Sequence, residues 1–295
     1  MQANKASGYS FLVAATLFWA GNYVLGKFAV SEMPPLSLVY LRWLLAALPL
    51  AAAARFAERP SLRDLAANWL LLSVLSLLGM AGYTFLLYSA LLHTSPLNAS
   101  LINSFNPALI MVASAAVLGT PLGPRRIAGA LIGFAGILLV LTKGDLSALA
   151  SLRFNFGDLL MLGAIACWTA YTILGKRLKG VKPIAATAAQ AAIIVVLMTP
   201  VVALTGLKLP STPAGAASLL YIAVFPSVLS YVLWNLAMTR VDPGNAGAFL
   251  NLITVFTALA TVLLGTPLTF AQVGGGALVL GGVLLGSWSR GSGRA

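Results

Sequence analysis

Apolar residues in this chain come in ten blocks, most of them near twenty residues long, with the polar and basic residues gathered largely in the short stretches between. The blocks run over residues 10–29, 36–55, 69–92, 97–118, 127–142, 158–175, 184–205, 214–238, 244–264 and 270–288. None shows the two-residue alternation of a strand, and all are too long for outer-membrane barrel strands of about 10 residues. A helix of about 20 residues crosses the roughly 30 Å hydrocarbon core of a bilayer. The pattern therefore predicts an all-α membrane protein with ten transmembrane helices.

The second five blocks echo the first five. FWAGNYVLGK (Phe18 to Lys27) returns as CWTAYTILGK (Cys167 to Lys176), so Trp19, Gly26 and Lys27 match Trp168, Gly175 and Lys176. LGTPL beginning at Leu118 returns at Leu264, and Gly129 and Gly136 return as Gly275 and Gly282. Matches at one slowly drifting offset mark an internal duplication. Each copy holds an odd number of spans, so the second enters the membrane from the opposite side. Two inverted five-helix repeats are expected, residues 1–145 and 146–295, within a single integral membrane domain and joined across Lys143 to Gly157. Inverted repeats of this kind are typical of secondary transporters.

Composition agrees: 60 % of the residues are hydrophobic and 8 % charged, where a soluble domain has about 25 % charged. Lys5 ahead of an apolar run resembles a secretory signal. Its repeat partner, 158–175, lies in mid-chain, so the first helix is expected to stay uncleaved. The net charge of +12 invites a nucleic-acid reading until the basic residues are sorted by loop. One set of alternate loops with both termini holds Lys5, Arg55, Arg59, Arg63, Arg125, Arg126, Lys176, Arg177, Lys179, Lys182, Arg240, Arg290 and Arg294, thirteen in all. The other side holds five: Lys27, Arg42, Lys143, Arg153 and Lys208. The positive-inside rule then puts both termini in the cytoplasm, and nucleic acid drops out as a partner.

The string from Trp19 through Asn22 and Tyr23 to Lys27 resembles the opening helix of the EamA-type branch of the drug/metabolite transporter superfamily. The close of each half, a Leu-Gly turn and then Gln272, Gly275, Leu278 and Gly282 in the second, resembles it too. The resemblance covers essentially the whole chain. It implies an alternating-access carrier of small metabolites in a bacterial inner membrane, similar to the branch's amino-acid exporters. Thr120 and Thr266 stand where members often carry Glu after the Leu-Gly turn, so no role of that acid transfers. The small multidrug relatives rely on a Glu in the first helix, and the first span here holds no acid.

Helix breakers at matching places in the two halves point to a substrate site. Gly79 and Pro226 lie 147 residues apart, both near mid-span, and are read as hinges, with close packing and an inert kink as the plainer alternatives. Polar aromatics follow one turn later. Tyr83, Tyr88, Tyr231 and Trp234 are candidate wall residues of a central cavity, while an aromatic belt at the headgroups suits Tyr9, Tyr40, Trp43, Trp69 and Trp288 near span ends. Trp19 with Asn22 and Trp168 with Tyr171 each share a helix face and are candidates for the same wall. Asn103, Asn106 and Asn251 lie deep enough that each must meet a helix or the cavity. Asn98, Asn245 and Asp158 read as helix caps, Cys167 as packing, and His93 as a solvated loop imidazole. The glycine-rich fifth and tenth spans suit a scaffold or a dimer contact; monomer and homodimer both stay open.

A membrane enzyme would need an acid/base pair, an activated nucleophile or a metal cluster at depth. One His, one Cys and six acids, all of the acids outside the span centres, supply none, so no catalytic residue, metal or cofactor is expected. A channel would call for pore rings or a charged constriction. Amide and aromatic walls without a fixed charge at depth suit a zwitterion, with amino acids leading and a sugar, nucleoside or organic cation as alternatives. Reporter fusions after the stretch from Lys143 to Gly157 should read periplasmic, and fusions after Lys179 cytoplasmic; the reverse pattern would remove the inverted repeat.

Overall fold

Proline starts the helices of this protein. Pro35, Pro96, Pro124, Pro183 and Pro213 each open one, where the missing N–H costs nothing and the fixed φ suits the first turn. Ser95 and Thr212 cap two of these starts, accepting from the backbone N–H of Asn98 and Gly215. The computed structural model describes residues 2–119, 123–145, 155–238, 240 and 249–287, and every element among them is helical.

In chain order the helices are α1 (Gln2–Glu32), α2 (Pro35–Ala57), α3 (Leu62–Ala67), α4 (Trp69–His93), α5 (Pro96–Asn103), α6 (Asn106–Leu118), α7 (Pro124–Leu141), α8 (Phe156–Gly175), α9 (Pro183–Thr205), α10 (Pro213–Ala237), α11 (Leu252–Leu263) and α12 (Phe270–Ser287). Among the described residues seven stretches are long and apolar enough to cross a bilayer: Ala6–Glu32, Pro35–Ala57, Trp69–His93, Pro96–Val117, Phe156–Gly175, Pro183–Thr205 and Pro213–Ala237. Three shorter apolar helices, Ile127–Val140, Leu252–Leu263 and Phe270–Gly282, occupy the remaining blocks. The outward surface is apolar, with Phe56, Leu204 and Phe270 among its most exposed side chains, as lipid contact requires.

Four irregularities interrupt these helices, in two pairs. Ser76–Gly82 in α4 and Phe225–Leu229 in α10 are π-helical, and they contain Gly79 and Pro226. The other pair was not foreseen: turns at Ser104–Phe105 and Leu250–Asn251 separate α5 from α6 and precede α11. Pro226 has no N–H to give the carbonyl of Ile222, and Ser227 Oγ donates to that carbonyl instead at 2.7 Å. Gly79 admits the ring of Tyr171; a Cβ there would lie 2.5 Å from Tyr171 Cδ2.

Helix pairings recur when the halves are exchanged. α7 packs on α12 and α2 on α9, while α1 lies against α10 as α4 lies against α8. The α7–α12 contact is nearly backbone on backbone: a Cβ on Gly136 would lie 2.6 Å from the carbonyl oxygen of Gly275 and 2.8 Å from Val279 N. The glycine stripes therefore serve a contact within one chain, the scaffold alternative of the two.

Several local readings change. Trp43 is no headgroup belt residue: it is fully buried and its Nε1 donates to Met80 O in the π segment of α4, at 3.1 Å. Tyr40 reaches across to Thr199 at 3.2 Å, whereas Tyr9 and Trp69 are exposed as a belt requires. Asn98 is not the cap of its helix, since Ser95 is; its Oδ1 accepts from Gln272 Nε2 at 2.7 Å. Asp158 is not a cap either. Asn155 caps α8 through Gly157 N, and buried Asp158 accepts from Thr94 Oγ1 at 2.6 Å, linking the halves. Cys167 packs near Gly82, and the exposed His93 ring sits 5.4 Å from that of Phe156. Asn245, Trp288 and Thr120 lie outside the described residues.

Gly136→Leu should destabilise the fold by about 1–3 kcal/mol through overpacking, read as a lower unfolding midpoint in detergent, while Gly119→Leu tests strain at positive φ without a packing partner.

Candidate functional site

The interrupted segments converge on a cavity. Its volume is about 60 Å³, and its wall includes Trp19, Asn22, Tyr83, Asn103, Asn106, Trp168, Tyr231 and Asn251. Tyr171 and Trp234 line instead a larger vestibule of about 650 Å³, which shares Trp19, Trp168 and Tyr231 with the cavity and leads to Lys176, Leu178, Val181 and Pro183. That is the end of the molecule where basic loop residues concentrate. Tyr88 lines neither; it stands fully buried behind the wall.

Two aromatic clusters stand at the site, each drawn from both halves. Trp19 lies 5.8 Å from Tyr231 and 5.5 Å from Trp234, and Trp43 lies 6.1 Å from Tyr231. Trp168 lies 5.0 Å from Tyr83 and 5.1 Å from Tyr171. The indole of Trp19 donates to Pro226 O at 3.0 Å, as Trp43 does to Met80 O. Both tryptophans thus satisfy carbonyls of the π segments, where regular helical bonding is shifted. Tyr23 Oη and Tyr83 Oη share a hydrogen bond of 3.0 Å, and Tyr83 Oη donates to Asn103 Oδ1 at 3.2 Å. Thr169 Oγ1 donates to Asn106 Oδ1 at 3.2 Å.

The expectation of no fixed charge at depth is wrong, and Arg42 is the reason. Counted above among the loop residues of one side, it is 3 % exposed, sits well inside α2, and lines the cavity. Removing it from that count leaves four basic residues against thirteen, so the asymmetry stands. Its Nε and Nη2 donate to Ser227 Oγ at 3.0 and 2.7 Å, and its Nη1 donates to Tyr88 Oη at 2.5 Å. Tyr88 in turn donates to Asn22 Oδ1 at 2.7 Å. The guanidinium carbon lies 4.8 Å from the Trp43 ring centre and 5.6 Å from that of Tyr88. Burying a lone cation costs several kcal/mol, and here neutral oxygens and two aromatic faces offset that cost.

Sequence reasoning missed Arg42, Tyr23 and Thr84 as wall residues. Arg42 carried a signal in its position, seven residues after the proline that opens its span, which is deep for a side chain reaching the interface. Gly79 and Pro226 lie within the π segments but outside the cavity wall. Asn251 carries a signal of another kind: both side-chain polar atoms, Nδ2 and Oδ1, are buried without a hydrogen-bond partner. Among the described residues no group of His, Cys, Asp or Glu could hold a metal ion.

Comparison with known proteins fits this arrangement. The profile of the EamA-like transporter family matches twice, over residues 6–142 and 155–288. An uncharacterized transporter of Archaeoglobus fulgidus is 33 % identical over 278 residues, covering 93 % of this chain and 95 % of the relative. The uncharacterized transporter YyaM of Bacillus subtilis is 30 % identical over 283 residues, covering 95 % and 93 %. YhbE, an uncharacterized inner membrane transporter of Escherichia coli, is 26 % identical over 177 residues, 58 % of this chain and 55 % of its own. A crystal structure of a protein 22 % identical superposes with a TM-score of 0.70 over 96 % of this chain and 97 % of that one, a likeness of fold alone. With both halves matched by the family profile and such relatives along nearly its whole length, the chain belongs to the EamA-like transporter family.

Proposed function

We propose that this membrane transporter is a ten-helix, alternating-access carrier that exports small metabolites, amino acids foremost, through the central cavity. The observation that carries the reading is the cavity's position among two matched pairs of helix interruptions, Gly79 with Pro226 and Ser104–Phe105 with Leu250–Asn251. Interrupted helices around a shared site suit rocking of one repeat against the other. The twofold family match and the exchange-symmetric pairing of helices support the two repeats, residues 1–145 and 146–295, as the moving units.

The vestibule opens at the basic end, which the positive-inside rule assigns to the cytoplasm together with both termini. An exporter loads from that side, into walls of Trp19, Trp168 and Tyr231. Asn22, Asn103, Asn106 and Asn251 supply amides for the polar part of the substrate, and Tyr83, Tyr171 and Trp234 extend the aromatic lining. Gly79 and Pro226 act as hinges, since π segments relax into regular helix with a shift of register. No carboxylate or imidazole is among the wall residues, so transport follows the substrate's own gradient as a facilitator or exchanger rather than tight proton antiport.

Counterflow of L-leucine in sealed proteoliposomes tests the reading, with sugars and organic cations as competitors. Uptake of leucine above protein-free vesicles is expected, without uphill accumulation under an imposed pH gradient. Pro226→Ala should slow exchange about tenfold with binding nearly unchanged, about 1.4 kcal/mol on the barrier. Wild-type rates in both Pro226→Ala and Gly79→Leu would reduce the interruptions to packing features, and a sugar or cation outcompeting leucine would replace amino acids as the cargo.

A further inference from the structure

Arg42 is the one charged residue among those lining the cavity, and Asn251 adds a buried amide with both polar atoms unbonded. A guanidinium has five N–H donors. Ser227 takes two of Arg42's and Tyr88 one, which leaves two at a side chain that lines the cavity. Four of the six acids are engaged or placed elsewhere. Glu32 accepts from Ser211, Glu58 from the backbone N–H groups of Ile184 and Ala185, and Asp158 from Thr94, while Asp64 lines a separate cleft at the basic end. Arg42 thus has no carboxylate partner among the described residues. Asn251, 6 % exposed, adds an amide with neither atom bonded.

The repeat makes this charge one-sided. At an offset of 148, within the 146–149 drift of the duplication, the counterpart of Arg42 in the second half is Gln190. Each position adjoins a π segment of the other half: the Arg42 side chain donates to Ser227 within that of α10, and the Gln190 backbone carbonyl accepts from Ser76 Oγ in that of α4 at 2.6 Å. A guanidinium thus stands where the symmetric position has a neutral amide. A packing strut would be served equally well by the amide, whereas a single cation selects the charge and orientation of what enters.

We infer that Arg42 is the anchor for a carboxylate on the transported solute, that Asn251 completes the polar contact, and that the free carboxylate, not an ammonium group, is the feature the cavity requires. Two free N–H donors match two carboxylate oxygens. The bound anion would neutralise a cation that is otherwise buried without a counter-ion, so the attraction is greatest where water is excluded. The wall residues include no acid to receive an ammonium; that group, where present, rests on aromatic faces. The substrate class is therefore a small apolar monocarboxylate, of which a neutral amino acid is one form. This inference rests on the transport reading above for its cavity, and it differs from that reading in what it demands of the ligand.

The test is calorimetric binding of three probes to the purified protein in nanodiscs: L-leucine, isocaproate, which is leucine without its amino group, and isocaproamide, the neutral amide of the same shape. Both acids should bind, with the amide weaker by about tenfold or more. Arg42→Gln, which copies the second half's residue, should bring the acid-to-amide ratio close to one. Should that variant fail to fold, the wild-type ratio still decides. Asn251→Leu removes an unpartnered buried amide, so it should keep or raise the unfolding midpoint while weakening both acids. Equal binding of isocaproate and isocaproamide by the wild type would overturn the inference even if leucine is transported. Full discrimination retained in a folded Arg42→Gln protein would overturn it too, as would failure of both acids to bind. Binding of isocaproate without leucine would uphold it and remove amino acids from the transport reading.

Discussion

A cation held out of water inside a membrane-spanning fold has to be solvated by the protein itself, and Arg42 shows how much of this structure that requirement recruits. Its hydrogen bonds reach α10 through Ser227 and α4 through Tyr88, and Tyr88 goes on to Asn22 of α1. Ser227 is available because Pro226 leaves the Ile222 carbonyl without its regular donor: the serine hydroxyl donates to that carbonyl and keeps its lone pairs for the guanidinium. One proline, one serine and one arginine therefore tie the first half to the second at the cavity wall.

Around that joint the two halves are built alike but are not equivalent. The π segments of α4 and α10 each present a carbonyl to an indole, Met80 O to Trp43 and Pro226 O to Trp19. Gln190 takes Arg42's place in the second half, and Trp168 has Tyr83 and Tyr171 as neighbours where Trp19 has Tyr231 and Trp234. Duplication supplies a scaffold of paired helices, with glycine at the closest approach of α7 and α12. Divergence between the halves at one wall position, Arg42 against Gln190, gives the cavity its charge.

Much of this was legible in the sequence because bilayer physics leaves few choices. Twenty apolar residues bounded by proline have to be a helix, and a polar amide at depth has to face protein or cavity; Trp19, Asn22, Tyr83, Asn103, Asn106, Trp168, Tyr231 and Asn251 line the cavity. Gly79 and Pro226 lie within the two π-helical interruptions of α4 and α10. The break before α6 had a local sign in Pro107, which has no N–H for the Asn103 carbonyl and suits the first turn of a helix; its partner at Leu250–Asn251 had none. Arg42 was misread because an arginine inside a span has two solutions, reaching to the interface or burial among polar partners. Its partners lie 46 and 185 residues away in the chain. Trp43 failed for the same reason: nothing near it in sequence announces that Met80 has a carbonyl to offer.

The central claim is that Arg42 is kept charged and incompletely bonded for a carboxylate that comes and goes. A crystal or cryo-electron-microscopy structure of the protein with isocaproate bound would test it most directly. The account predicts both carboxylate oxygens within hydrogen-bonding distance of the Arg42 guanidinium, with the alkyl end against Trp19, Trp168 and Tyr231. A ligand whose carboxylate turns away from Arg42 toward the vestibule, leaving the guanidinium bonded only to Ser227 and Tyr88, would contradict it.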